Sequence, residues 1–279
     1  MKIDLSGKPI AITGASSGIG HATAIACAQM GMPVAVMARR ADRLEQLVER
    51  IRSSGQRAVH LVGSVDDADA CCRFIERCAS EFGSIYAVFA NAGYAIEQPV
   101  AEMSIEAVRQ NFEVNFFGSL NVIKPALWRM QERGAGHILW CSSCLSRASL
   151  PGYASYCATK SAQNQFARAM RLELKAQGIY VSSIHPVGTR TELFDVIERQ
   201  SPGGASLIDR SRDWTFQPPE RVARAVVRCL RRPRAEVWLS TPLRLAMALG
   251  VAAPGLADAI IDLLARKRAG GQGISSSGE

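Results

Sequence analysis

Between residues 9 and 90 the chain alternates short β-branched or apolar runs with longer segments of helical character. Residues 9–12, 33–38, 58–62 and 85–90 read as strands, and 18–30, about 42–53 and 66–82 as helices. These strand runs are apolar at nearly every position, so both faces of the sheet must be covered. Strands that return after a helix lie parallel. The alternation continues with a helix over 104–133, a strand over 136–142, a helix over 154–177 and a strand over 179–185. It loosens after Thr191, then resumes with a helix over 220–231 and a seventh short strand over 236–239. The expected fold class is α/β: a single doubly wound Rossmann-type domain over 1–240, with a central parallel sheet of about seven strands flanked by helices. Residues 241–268 are expected to form a C-terminal apolar helical appendage to the same domain, broken at Pro254-Gly255, and 269–279 a disordered tail.

Composition removes several alternatives. With 48% hydrophobic and 21% charged residues the chain suits a packed core rather than disorder. It has no uncharged apolar run of 18 residues, and its first residues carry Asp4 and no apolar stretch, so neither a spanning helix nor a secretory signal is expected. A cytoplasmic location follows as an expectation. Cys71 and Cys72 are adjacent and the other six cysteines sit singly in apolar stretches, which reads as buried thiols. Cys141 and Cys144 form a CxxC, but no second pair accompanies it, so no metal is expected. The net charge of +8 raises nucleic acid as a partner. The 27 arginines and 6 lysines are spread along the chain, aromatics make up only 6%, and the densest cluster, Arg221 to Arg234, falls on one helix and its exit. A solvated helix face explains that cluster, and no nucleic-acid partner is expected. The positive field also favours a polyanionic cofactor.

The segment Thr13-Gly14-Ala15-Ser16-Ser17-Gly18-Ile19-Gly20 joins the first strand to the first helix. Glycines there let the backbone approach a pyrophosphate, whose charge meets the N-terminus of the helix. The spacing is TGxxxGIG, and with it the chain resembles the short-chain dehydrogenase/reductase family. The resemblance runs over roughly 6–240: Asn91-Ala92-Gly93 follows the fourth strand, Asn115 lies in a helix, Ser143 ends the fifth strand, and Tyr156-Cys-Ala-Thr-Lys160 is a Tyr-x-x-x-Lys. It implies Asn115, Ser143, Tyr156 and Lys160 as the catalytic set. It also implies that Lys160 holds the nicotinamide ribose and that Asn115 supports a water relay to Lys160.

The chemistry fits those residue types. Tyr156 and Lys160 are i and i+4 on one helical face. A phenol titrates near pH 10, and an adjacent ammonium favours the phenolate. Tyr156 then exchanges a proton with a carbonyl or alcohol oxygen while Ser143 hydrogen-bonds the same oxygen. The resemblance implies cofactor contacts from Gly14, Ser16, Ser17, Gly18, Ile19, Gly20, Ser64, Val65, Asn91, Ala92, Gly93, Tyr156, Lys160, Pro186, Thr189 and Thr191. The second strand ends in Arg39-Arg40 with no carboxylate for a ribose diol, and two guanidiniums suit a 2′-phosphate, so NADP(H) is favoured over NAD(H). Two positions depart from the family pattern: Ser64 replaces an Asp after the third strand, and Val187 replaces the Gly after Pro186.

The expected activity is hydride transfer between NADP(H) and a carbonyl or secondary alcohol on an apolar small-molecule substrate. A non-catalytic NADP(H)-binding regulatory or scaffold protein is the alternative. Ser143, Tyr153, Tyr156, Leu193, Phe194 and Trp214 are the expected substrate contacts. Helices 104–133 and 154–177 are apolar around more than one stripe, and with the resemblance this implies a homodimer or homotetramer. The apolar appendage is expected to pack on protein, with any membrane contact peripheral.

Overall fold

The computed structural model describes residues 2–189 and 217–272, with side chains up to residue 263. Seven strands are present: β1 Ile10–Thr13, β2 Val34–Ala38, β3 Ala58–Val62, β4 Ala87–Ala90, β5 Gly136–Cys141, β6 Ile179–His185 and β7 Glu236–Trp238. They form one parallel sheet in the order β3-β2-β1-β4-β5-β6-β7. The helices between them are α1 Gly18–Ala28, α2 Ala41–Ser53, α3 Ala68–Phe82, α4 Ile105–Phe112, α5 Gly118–Arg133, α6 Ala154–Leu174 and α7 Pro219–Arg231.

The uniformly apolar strands are shared between two cores by residue parity. Ile10 and Ile12 of β1 face α1, α2 and α7, while Ala11 faces α3, α5 and α6. In β2, Val34 and Val36 join the first core, and Ala35 and Met37 the second. Phe89 and Leu139 lie on one side, Val88 and Trp140 on the other. This is the period-two geometry of a strand applied to a sheet covered twice. Each fully buried large side chain stabilises the fold by about 1.5–3 kcal/mol relative to exposure. On α7, Val222, Val226 and Leu230 are buried while Arg221, Arg224 and Arg228 are exposed, so the arginine cluster is a solvated helix face.

Strand order reverses between β1 and β4, which places a crevice above their C-terminal ends. One expected element differs. The segment 104–133 is not one helix: a π-helical turn, Glu113–Phe117, separates α4 from α5. The side chain of Asn115 within that turn bonds both the N–H and the C=O of Tyr94, which holds the wider turn in place.

Beyond β7 the chain continues as α8 Thr241–Ala252 and α9 Pro254–Gln272. The break falls at Ala253, ahead of Pro254-Gly255, and α9 runs past residue 269, where the sequence suggests that a tail begins. Helix α8 lies beside the short 3-10 turn Cys144–Arg147 and buries none of its residues. Among the described residues no single helix is long and apolar enough to cross a membrane; Thr241–Ala252 and Pro254–Leu263 reach that length only together, bent by 117°.

Candidate active site

The loop after β1 is shaped by contact with the loop after β4. Gly14 has φ +67°, and a Cβ there would come within 2.8 Å of Ala92 Cα. A Cβ on Gly20 would strike the Gly14 carbonyl oxygen and approach Asn91 Nδ2 to 2.7 Å. Asn91 ties the loops together, donating from Nδ2 to Thr13 O at 3.0 Å and Gly14 O at 3.3 Å. Its backbone N–H, and that of Ala92, donate to Thr13 Oγ1 at 3.1 and 3.2 Å. Helix α1 starts at Gly18 with no side-chain cap from Ser17 and no acidic residue in its first turn. Its first N–H groups and the positive end of its dipole are therefore directed at a site that suits a pyrophosphate. Ile19 packs against the first core. At the edge of the loop, Arg40 donates to Ser16 Oγ, and Arg39 beside it is exposed.

Ser143 and Tyr156 meet above the end of β5. Ser143 caps the 3-10 turn, its Oγ accepting from Leu145 N at 3.1 Å, and its hydroxyl lies near enough to the Tyr156 phenol to favour the phenolate. Lys160, one turn further along α6, is 4% exposed. Its Nζ donates to Cys141 O at 2.8 Å and to Gln163 Oε1 at 3.1 Å, and lies 5.5 Å from the centre of the Tyr156 ring. A Cβ on Gly93 would lie 2.9 Å from Asn115 Oδ1 and 3.6 Å from Lys160 Nζ, so glycine leaves the room that these side chains fill.

Burial sets the protonation here. It pushes the Tyr156 phenol above the usual tyrosine range; the Ser143 hydrogen bond pulls it back, and the nearby thiols of Cys141, Cys144 and Cys157 push it up. Burial likewise holds Lys160 below the usual lysine range, with Cys141 opposing that shift. An anion on the phenol and a cation on Lys160 favour one another.

Asn115 is fully buried in the π turn. Its Oδ1 accepts from Tyr94 N at 2.9 Å, and its Nδ2 donates to Tyr94 O at 2.9 Å and Thr159 Oγ1 at 3.0 Å. These bonds fasten the β4–α4 loop to α6. The other expected residues fall as follows. Ser64 is partly buried and its carbonyl accepts from Asp67 N at 3.3 Å. Val65 is buried under Gly118, where a Cβ would come within 2.6 Å of Val65 Cγ2. The Pro186 carbonyl accepts from Cys144 N at 3.0 Å, and Thr189 Oγ1 donates to Val187 O at 2.7 Å. Tyr153 is 1% exposed in a small apolar cluster, its hydroxyl donating to the buried Glu97 at 2.7 Å. It is thus a packed side chain next to Tyr156 rather than an open pocket wall. Thr191, Leu193, Phe194 and Trp214 lie outside the described residues.

Two residues at the site were not picked out from the sequence. Gln163 is a fully buried amide at i+3 from Lys160, and a polar residue on that inward face was a legible signal. His185 ends β6, with its Nδ1 3.0 Å from the Ser143 carbonyl and 3.3 Å from Ser146 Oγ. Burial holds this imidazole down to about 4, so it is neutral, with Nδ1–H donating to Ser143 O and Nε2 accepting from the Ser183 hydroxyl at 2.9 Å. Trp238 stacks on it at 4.3 Å and donates to Glu236, which pairs with Arg147. Nothing local in the sequence marks this group, because its members are distant along the chain. Among the described residues no cluster of His, Cys, Asp and Glu could hold a metal ion.

A doubly wound sheet, a glycine loop at its switch point and a Ser-Tyr-Lys group at its rim define a nucleotide-dependent oxidoreductase fold. The family model described as short chain dehydrogenase matches residues 8–202, and the chain belongs to that family. An uncharacterized oxidoreductase of Listeria innocua is 31% identical over 232 residues, covering 82% of this chain and 92% of that one. The glycine betaine reductase of Emericella nidulans is 34% identical over 236 residues, which is 82% of this chain and 18% of that longer protein. The structure of an alcohol dehydrogenase from Thermococcus sibiricus, complexed with 5-hydroxy-NADP, has a TM-score of 0.69 at 28% identity and covers 82% of this chain and 94% of that one.

Proposed function

We propose that this chain is an NADP(H)-dependent carbonyl reductase or alcohol dehydrogenase. The observation that carries the reading is Tyr156 with the Ser143 hydroxyl near its phenol and the Lys160 ammonium 5.5 Å from its ring centre, at the rim of the sheet that bears the glycine loop. The loop suits a dinucleotide: Gly14 and Gly20 leave no room for a Cβ, and the start of α1 is free of acidic side chains. When bound, the nicotinamide supplies or accepts the hydride.

In reduction, the Tyr156 phenol gives its proton to the substrate carbonyl oxygen as the carbon becomes tetrahedral, and Ser143 hydrogen-bonds that oxygen. The phenolate left on Tyr156 is stabilised by the Lys160 charge. In oxidation the same groups run in reverse. Lys160 directs two N–H groups at Cys141 O and Gln163 Oε1, and the third is available to a nicotinamide ribose. His185 fixes the Ser143 backbone from behind.

Arg40 at Ser16 supports NADP(H) over NAD(H). An apolar substrate is supported by Leu145 and Leu150, which are partly exposed beside Tyr156. The exposed Leu245, Leu249, Leu256 and Ile260 of α8 and α9 support self-association through that hairpin. NADPH consumption measured against a panel of ketones and aldehydes tests the reading. Turnover of apolar carbonyls with NADPH is expected, and binding of NADPH with no turnover on any of them would favour the regulatory alternative.

A further inference from the structure

Gln163 has no exposed surface and stands on the same face of α6 as Lys160. Its Oε1 accepts from Lys160 Nζ at 3.1 Å. Its Nε2 donates to the Asn115 carbonyl at 2.6 Å and to Ser119 Oγ at 3.0 Å. The Ser119 hydroxyl donates to the same Asn115 carbonyl at 2.7 Å. An ammonium only donates and a carbonyl oxygen only accepts, so the orientation of the Gln163 amide is fixed by its neighbours. A carbonyl oxygen has two lone pairs, and here side-chain donors engage it from both Gln163 and Ser119.

We infer that Gln163 is a positioning residue for Lys160, a direct amide bridge that ties the lysine ammonium to the π turn at Asn115. Its Oε1 orients and stabilises the charged amine, and its Nε2 transfers the position of the Glu113–Phe117 turn to the lysine. The amide carries no proton of its own at neutral pH, so it fixes Lys160 without passing protons. The titratable groups facing Lys160 are the Tyr156 phenol from its own helix and the Cys141 thiol from β5. The β4–α4 loop offers Gly93, and the π turn offers the Asn115 amide and carbonyl.

The test is the titration of Lys160 in the protein without turnover, read by NMR of carbon-labelled lysine and assigned by loss of the signal in Lys160→Met. Gln163→Met keeps the length and shape of the side chain but offers no comparable acceptor. The Lys160 midpoint is expected to fall by about one unit, the scale of one hydrogen bond to a charged group. Gln163→Glu, which sets a carboxylate against the ammonium, is expected to move it up. Ser119→Ala removes the neighbouring hydroxyl without touching Lys160 and is expected to leave the midpoint in place. If Gln163→Met does not fold, the sign of the Gln163→Glu shift decides alone. An unchanged Lys160 midpoint in a folded Gln163 variant would overturn the inference. The titration needs no substrate, so its failure is distinguishable from failure of the proposed activity. In turnover, the limb of the oxidation profile governed by Tyr156 is expected at higher pH in Gln163→Met.

Discussion

Arg40 donates to Ser16 Oγ through both Nη2, at 3.0 Å, and Nε, at 3.3 Å, across 24 residues of sequence. The contact places a guanidinium from the end of β2 on the rim of the glycine loop, where a 2′-phosphate on the adenine ribose would meet it. Arg39→Ala with Arg40→Ala is expected to weaken NADPH by about 10- to 100-fold, from roughly 1.5–3 kcal/mol of charge-assisted hydrogen bonding. NADH should change by no more than a few-fold. Fluorescence titration with both cofactors checks this, and equal weakening of the two would remove these arginines from the choice of cofactor.

The buried imidazole behind Ser143 has a consequence for stability. His185 titrates near 6.5 when unfolded and at about 4 when folded, because burial disfavours its charged form. Between those values the unfolded chain binds more protons, so stability falls as pH is lowered through that window. The contribution is on the order of 3 kcal/mol over the full window. His137, held down to about 3 by burial, adds a slope of the same sign. Urea midpoints measured between pH 7 and pH 4 are expected to drop less steeply in His185→Asn than in the parent protein. Parallel curves would show that His185 does not carry the dependence.

The C-terminal hairpin gives a third expectation. Leu249 is 70% and Leu256 66% exposed, although both are large apolar side chains. Exposed large apolar side chains repeated at helical spacing on both helices suit an interaction surface. Asp258 and Asp262 oppose an anionic surface, while the following Arg266, Lys267 and Arg268 each offer about 1 kcal/mol near one. The chain is expected to be a homo-oligomer by light scattering, to lose mass on deletion of residues 241–279, and to leave anionic vesicles largely unbound at physiological salt. A monomeric mass, or vesicle binding that the deletion abolishes, would contradict packing of this segment on protein.

The sheet was legible in the sequence because each strand is a short run apolar at successive positions, as in Val34-Ala-Val-Met-Ala38. Double coverage demands that pattern whatever the sheet binds. The close approach of Tyr156 and Lys160 was legible for a local reason, since i and i+4 share a helix face. The π turn was not, because the apolar pattern of 104–133 runs on unbroken while the bonds that hold Asn115 come from Tyr94 and Thr159. The bridge from Gln163 to Asn115 spans 48 residues and the contact of His185 with Ser143 spans 42, so only the packed fold brings these partners together. Tyr153 has the composition of a pocket residue, yet Glu97, 56 residues away, draws its hydroxyl inward.

The central claim is that Tyr156 exchanges the proton while hydride passes between cofactor and carbonyl carbon. Its most direct measurement is steady-state NADPH oxidation by Tyr156→Phe, with NADPH affinity determined in parallel by fluorescence. The variant loses only the hydroxyl, so the fold, the Lys160 contacts to Cys141 and Gln163, and cofactor affinity within about two-fold should persist. Turnover is expected to fall at least about 100-fold, the lower end of what a positioned proton donor contributes. A Tyr156→Phe protein that binds NADPH and still turns over at the parent rate would contradict the account.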